Sequence, residues 1–245
     1  MSALFLAELF KHCRWLKYIS AVDCSYSIHR GLVFSMSVSQ LTQRTRTSDH
    51  YIALLEQLYH ERNLTQFTAG HSIPLRRNEI YVICRGIVQL HTIHPDGSET
   101  LLGLAGPSMP FGLSLTGVSP YWATALTPVD VLPLAMAELE NSPTLMAGLF
   151  SHLSRRLQQS EAWLALSGKR LVADRLRQLL IMLAQEFGKV EPQGVKLTIR
   201  LTHHQLATTI GTTRVTVTRL LRDFRKAGWL TIHQRYLIVP LSMVN

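Results

Sequence analysis

The segment Thr202–Phe224 (THHQLATTIGTTRVTVTRLLRDF) constrains the fold of this chain more than any other feature. Thr202 can cap a helix, and Gln205 three residues later completes a capping box. Gly211 supplies a tight turn, after which Thr213 can cap a second helix. Two short helices joined by a glycine turn predict a helix-turn-helix motif, whose second helix enters the major groove of DNA.

The second helix of this motif is predicted to have one buried face and one free face. The buried face has the apolar spacing of a helix that packs on a core. The free face combines arginines, which can donate to O6 and N7 of guanine, with methyl groups that can pack on thymine. A solvated arginine face on an ordinary helix pair is the alternative. The predicted core residues are Val217, Leu220, Leu221 and Phe224, and the candidate DNA contacts are Thr202, His203, Thr213, Arg214, Val215, Thr218, Arg219 and Arg222.

The residues around the motif predict a winged helix-turn-helix domain over residues 169–245. Leu171–Phe187 has the apolar spacing of an amphipathic helix, and Val195–Leu201 alternates as a half-buried strand does. After the motif, Trp229–Ile232 and Tyr236–Val239 are apolar runs on either side of a polar turn, which is typical of a hairpin wing.

Basic charge is concentrated in this same domain. Residues 170–245 carry 12 basic and 4 acidic side chains, whereas residues 51–169 carry 7 and 9. A surplus confined to one module indicates that this module binds a polyanion, here double-stranded DNA. Charge alone leaves open a structural protein that packages DNA without sequence preference.

The middle of the chain, residues 51–142, is predicted to be an antiparallel β-roll that begins with a short helix in Asp49–Arg62. His94–Gly97 is a hairpin turn in which proline sets φ and Asp-Gly accepts positive φ. Thr100–Val129 has no charged residue, but its prolines and glycines divide it into strand-length pieces and not a membrane span. The candidate strands are Ile80–Ile83, Ile87–Ile93, Thr100–Leu104 and Thr124–Leu126.

A long helix is predicted next, over residues 143–168. Its apolar positions are spaced alternately four and three residues apart, and such a heptad seam packs well against a second copy of itself. We therefore expect a homodimer, and the alternative is a helix that lies on its own β-roll. Arg155, Arg156, Gln158 and Gln159 take outward positions in either case. The seam residues are Met146, Phe150, Leu153, Leu157, Ser160 and Leu164.

The first 50 residues show no sustained period. Ser35–Ser48 has the composition of a linker or disordered arm, and Met36 is an alternative start of the chain. We treat residues 1–50 as an N-terminal extension.

The sequence lacks the residue patterns that metal binding and enzymatic catalysis need. The three cysteines form neither a disulfide framework nor a four-ligand metal set, so we expect no metal and reduced thiols in the cytoplasm. A cupin-type metalloenzyme is the enzymatic alternative, because His91, His94 and Glu99 lie in one hairpin. Histidines three residues apart point to opposite faces of a strand, so we expect that the protein is not an enzyme.

From Phe67 to Val239, the order of these elements resembles the CRP/FNR superfamily of bacterial transcription regulators. Gly211–Leu221 (GTTRVTVTRLL) is most similar to the cyanobacterial nitrogen-control members. The resemblance implies an α+β fold with a shortened cyclic-nucleotide-binding-like β-roll, a long dimerisation helix and a C-terminal winged helix-turn-helix. It also implies a homodimer on a palindrome, with Arg214, Val215 and Arg219 reading GTA-N8-TAC-type half-sites, and RNA polymerase as a partner at the promoter.

The resemblance bears on the effector too. Members that bind cyclic AMP hold its ribose and phosphate with Gly-Glu and Arg-Ser pairs, which Phe111–Ser114 and Pro120–Ala123 do not supply, so no cyclic nucleotide is expected. Nitrogen-control members hold 2-oxoglutarate with a similar turn, a barrel arginine and an Arg-x4-Glu pair on the long helix. Arg156 and Glu161 match that pair, whereas Ser119 or Pro120 falls at the position of the barrel arginine. The candidate effector-binding residues are Phe111, Gly112, Leu113, Ser114, Arg156 and Glu161.

An interhelical salt bridge between Arg156 and Glu161 is the alternative to an effector site. Such a pair would lie beside the polar seam position Ser160 in a dimer. The sequence therefore predicts either a small anionic effector or a purely structural ion pair at this point of the long helix.

Overall fold

The computed structural model describes residue 51, residues 53–62 and residues 64–244. The predicted N-terminal extension of residues 1–50, including Met36, lies outside the described residues. All described residues fall in one compact unit. The helices are α1 (residues 51 and 53–61), α2 (Met136–Glu140), α3 (Pro143–Ser167), α4 (Val172–Phe187), α5 (His203–Thr209) and α6 (Arg214–Lys226). The strands are β1 (Thr65–Phe67), β2 (Glu79–Arg85), β3 (Val88–Ile93), β4 (Glu99–Ala105), β5 (Pro110–Phe111), β6 (Trp122–Ala125), β7 (Val129–Ala135), β8 (Gly188–Glu191), β9 (Gly194–Leu197), β10 (Thr231–His233) and β11 (Tyr236–Val239).

The predicted antiparallel β-roll is confirmed as two sheets, with strand orders β1-β7-β2-β5 and β4-β3-β6. The hairpin between β3 and β4 closes as expected, because the Gly97 N–H donates to the His94 carbonyl at 2.9 Å and Gly97 has a φ of +80°. The interior between the sheets is apolar and includes Val88, Leu90 and Val131, all fully buried. This packing follows from strands that alternate inward apolar side chains.

The long helix α3 begins where the sequence predicts. The Ser142 hydroxyl accepts from the Leu145 N–H at 3.3 Å, and a proline occupies the first turn, where no N–H is needed. Gly148 faces α1, and a β-carbon at this position would collide with the ring of Tyr51. Helix α1 is therefore packed tightly on α3 through a glycine.

The predicted outward position of Gln159 on α3 is wrong. Its side chain is 8% exposed and is bonded to the backbone of Leu104 in β4. Its neighbour Arg156 is half-buried, and its Nη1 donates to the Pro110 carbonyl at 3.1 Å. The polar face of α3 thus lies against the β-roll at these two positions, because edge carbonyl and N–H groups of the roll need partners.

The C-terminal elements form the predicted winged helix-turn-helix, with the sheet order β10-β11-β9-β8. The strand predicted at Val195–Leu201 is shorter than expected, since β9 ends at Leu197, although the burial still alternates and Ile199 is buried. The core of this part is continuous with the outer face of the β-roll. It contains Ile87, Leu101 and Leu104 of the roll together with leucines of α4, α5 and α6.

Candidate DNA interface and effector site

The two helices of the motif are capped as the sequence predicts. The Thr202 hydroxyl accepts from the Gln205 N–H at 3.1 Å, and the Gln205 side chain accepts from the Thr202 N–H at 2.8 Å. The Thr213 hydroxyl accepts from the Thr216 N–H at 3.2 Å and starts α6. Gly211 between them has a φ of +63°, a left-handed conformation that favours glycine.

Helix α6 separates its two faces as expected. Val217, Leu221 and Phe224 are buried in the core, and Leu220 is partly buried against it. The opposite face is open to solvent, and the side chain of its Val215 is 77% exposed. An exposed valine between arginines has no packing role in the described residues. The exposed residues of this face are Arg214, Val215, Thr218, Arg219 and Arg222.

The start of α5 is joined to the exposed face of α6. His203 Nδ1 and Thr218 Oγ1 share a hydrogen bond of 2.8 Å, which orients both side chains. A surface groove of about 490 Å³ lies here, and it is lined by Thr202, His203, His204 and Arg214. The helix starts and one arginine therefore border a single concave surface that is suited to a phosphate group.

The wing holds one aromatic ring against two cations. Its turn has positive φ at Gln234 (49°) and Arg235 (68°), as a two-residue hairpin of type I′ requires. The ring of Tyr236 is flanked by Lys196, with Nζ 4.9 Å from the ring centre, and by Arg200, with Cζ 4.3 Å from it. Sequence reasoning missed these contacts, because cation–π pairs between distant residues leave no local pattern.

The candidate effector turn is well ordered by contacts. Phe111 is fully buried and stacks on Tyr81, with 5.5 Å between ring centres. Gly112 has a φ of +153°, and a β-carbon there would lie 2.9 Å from the Glu79 carbonyl. Leu113 and Ser114 follow in a short 3₁₀ turn, in which the Ser114 hydroxyl donates to the Arg77 carbonyl at 2.7 Å.

The structure brings only part of the candidate effector set together. Arg156 reaches this turn through its bond to the Pro110 carbonyl. Burial raises the pKa of the Tyr121 hydroxyl, which lies beside Arg156. Glu161 is exposed and makes no ion pair within the described residues. Arg77 is exposed, and no local pattern predicts its role, because only the fold places its backbone beside Ser114.

The two histidines of the metalloenzyme alternative have different surroundings. His94 bonds to the Thr100 hydroxyl at 2.8 Å, whereas His91 is buried. No group of three or more histidine, cysteine, aspartate or glutamate side chains suited to a metal occurs among residues 51–244 as far as they are described. No helix of that same part is long and apolar enough to cross a membrane.

The β-roll, the long helix and the capped helix pair define a winged helix-turn-helix DNA-binding protein with an N-terminal β-roll. A Crp-like helix-turn-helix domain matches residues 174–242. The chain is 34% identical over 188 residues to a global nitrogen regulator of Nostoc sp., which covers 73% of this chain and 82% of the relative. It is 30% identical over 186 residues to a CRP-like cAMP-activated global transcriptional regulator of Mycobacterium tuberculosis, which covers 72% and 83%.

Solved structures agree with these matches. A CRP/FNR family transcriptional regulator from Thermus thermophilus has a TM-score of 0.61 and 26% identity, and the match covers 74% of this chain and 96% of that one. This chain belongs to the CRP/FNR family of transcription regulators. Membership settles the enzyme alternative, since these relatives are regulators and not enzymes.

Proposed function

We propose that the protein is a homodimeric regulator that acts in the cytoplasm, binds a palindromic DNA site and recruits or contacts RNA polymerase at the promoter. The observation that carries this proposal is an apolar stripe on α3 that the described part of the chain leaves uncovered. Phe150 is 71% exposed and Leu164 is 73% exposed, at positions fourteen residues apart in the predicted heptad seam. The exposed stripe comprises Met146, Phe150, Leu157 and Leu164.

A second copy is the occupant that this stripe favours. Large apolar side chains repeating at heptad spacing pack best as knobs into the holes of an equivalent helix. A two-fold related pair of α3 helices also places two α6 helices symmetrically, which matches a palindrome. The half-sites then lie about 34–36 Å apart, one turn of B-DNA.

The exposed face of α6 supports direct base recognition. Arg214 and Arg219 are both exposed and make no ion pair within the described residues, so each is free to donate to a guanine. Val215 offers methyl groups for a thymine, and Thr202, His203 and Thr213 lie at helix starts where phosphates bind. We propose a GTA-N8-TAC-type site, read by Arg214, Val215 and Arg219, with Thr218 and Arg222 beside them.

The effector that we propose is a small anion, 2-oxoglutarate. A dicarboxylate needs two cations. The Arg156 side chain reaches the start of the turn Phe111–Ser114 at the Pro110 carbonyl, and the backbone of Arg77 lies beside Ser114. We propose that the exposed guanidinium of Arg77 supplies the second cation in place of the family's barrel arginine. An effector that contacts both the β-roll and α3 shifts the protein toward the arrangement of these two elements that it binds more tightly.

Substituting Phe150 by Glu tests the dimer. A charge in the centre of the seam should leave a monomer at micromolar concentration by sedimentation equilibrium, and affinity for the palindrome should fall at least about a hundredfold, as the second half-site no longer contributes. The matched control is Gln158→Glu, which adds the same charge at an exposed position outside the seam. A Phe150→Glu protein that remains dimeric would refute the proposed interface.

A further inference from the structure

The amide of Gln205 joins the DNA-binding part of the chain to the β-roll. Its Nε2 donates to Oε1 of Gln89 in β3 at 2.7 Å, and Gln89 is only 8% exposed. The Oε1 of the same amide accepts from the Thr202 N–H at 2.8 Å. Because both ends of the amide are bonded, Gln205 is held in one orientation and is more than a helix cap.

This contact continues on both sides. Toward DNA, the hydrogen bond from His203 to Thr218 connects the start of α5 with the exposed face of α6. Toward the long helix, Gln89 pairs across the β-ladder with Leu104, whose backbone is held by Gln159. These contacts link α3 to β4 and β3, and β3 to the start of α5, where the first turn of the helix joins Gln205 to His203 and so to α6.

The apolar contact between the roll and the DNA-binding part does not by itself define an orientation. Ile87, Leu101 and Leu104 pack on the leucines of the motif, and apolar burial is non-directional. The covalent link from α3 to the DNA-binding part is the short segment of residues 168–171. A partly buried hydrogen bond such as this one is directional and costs free energy when it is broken, so it favours one docking angle.

We propose that Gln205 is a positioning residue which, through Gln89, fixes the recognition helix relative to the β-roll and so determines the half-site spacing that the dimer accepts. The inference rests on the proposed homodimer and palindrome. One added or removed base pair shifts a half-site by about 3.4 Å and roughly a tenth of a turn. A DNA-binding part that is held to the β-roll by the Gln205–Gln89 bond should bind such a site weakly. Without that bond, the DNA-binding part can shift to fit the altered spacing.

The experiment measures the affinity of the full-length protein for three duplexes, with GTA-N8-TAC half-sites at the proposed spacing and at one base pair fewer and one more. Gln89→Met removes the contact and leaves the capping box intact. Gln205→Met removes it from the other side, together with the capping bond from the Thr202 N–H, and serves in case Gln89→Met does not fold. Gln205→Glu keeps the cap and can accept from a rotated Gln89 amide, so it is the conservative variant.

Wild type and Gln205→Glu should prefer the proposed spacing by about tenfold or more. In each methionine variant, the ratio of the affinities for the proposed and the altered spacings should fall at least about threefold. The affinity of each variant for a single half-site should stay within about twofold of wild type. A methionine variant that folds and keeps the wild-type ratio overturns the inference about Gln205 and leaves the proposed palindrome standing. A wild type that does not distinguish the three duplexes overturns the proposed palindrome, and the inference with it.

Discussion

The side-chain amide of Gln159 in α3 replaces a missing neighbour strand beside Leu104 in β4. The Leu104 N–H donates to Gln159 Oε1 at 3.2 Å, and Gln159 Nε2 donates to the Leu104 carbonyl at 3.0 Å. Since β4 is an edge of its sheet among the described strands, these two backbone groups have no partner strand there on that side. The pair therefore attaches the long helix to the β-roll.

Replacing Gln159 by Leu should destabilise the protein by about 2–4 kcal/mol, because it leaves two buried backbone groups without partners. The free energy of unfolding from urea titration checks this value. Gln158→Leu, at the exposed neighbouring position, should stay within about 0.5 kcal/mol of wild type. Equal stability of the two variants would contradict the structural role of Gln159.

Protonation of His152 should destabilise the fold at acid pH. Burial, with a smaller contribution from Arg155, lowers the pKa of His152 from 6.5 to about 4, and neither ring nitrogen has a hydrogen-bond partner in the described part of the chain. The unfolded state takes up the proton first. Stability from this residue is therefore complete above pH 6.5 and is lost as the pH falls toward 4, by about 3 kcal/mol in all.

Urea titrations between pH 7 and pH 4 measure this effect. His152→Leu should flatten the pH dependence of the unfolding free energy, whereas His60→Leu keeps His152 and should keep the slope. A His152→Leu protein with the wild-type slope would show that the acid lability has another origin. The ring of Tyr51, 5.2 Å from that of His152, should remain packed in either variant.

Substituting Arg214 by Ala should cost about 1–3 kcal/mol of binding free energy and relax the preference at one base pair, as expected for a bidentate contact to guanine. Competition binding with each half-site base changed in turn measures this loss. Arg76→Ala removes the same charge from an exposed position of the β-roll and should leave the affinity nearly unchanged. Uniform weakening on all sequences would instead make Arg214 a phosphate contact.

Titration calorimetry with 2-oxoglutarate tests the effector. Arg156→Gln should reduce the affinity at least about tenfold, since a charge-assisted bond to a carboxylate is lost. Arg155→Gln is the matched control, because Arg155 faces α4 and pairs with Glu186 at 3.0 Å. Wild-type protein that takes up no 2-oxoglutarate at millimolar concentration would discard this effector and leave the regulator intact.

Local patterns were enough for the elements with a strong period or a specific turn. The capped helix pair and the His94–Gly97 hairpin follow from short-range spacing, and the structure has them where they were predicted. The seam predicted on α3 is exposed except at Leu153, which packs against the chain's own core. The strand β7 was not predicted, because Pro133 interrupts a run that nevertheless pairs with β2 from Asp130 to Ala135. Val195–Leu201 was predicted too long because burial alternates beyond the last ladder pair.

Contacts between distant residues were beyond the reach of the sequence. Gln159 has the polar character of a surface residue, and only the edge of β4 explains its burial. The bond between Gln89 and Gln205 joins positions 116 residues apart. Both glutamines serve the attachment of one part of the fold to another, and no periodicity in either segment indicates such a partner.

The most direct test of the account is the affinity of wild-type protein for a GTA-N8-TAC duplex and for a scrambled duplex of the same composition, measured over a range of salt concentrations. A sequence-specific dimer should bind the palindrome about a thousandfold or more tightly than the scrambled duplex at physiological salt. Equal affinities that both fall steeply with salt would contradict the account, because they are what a non-specific DNA-binding protein gives.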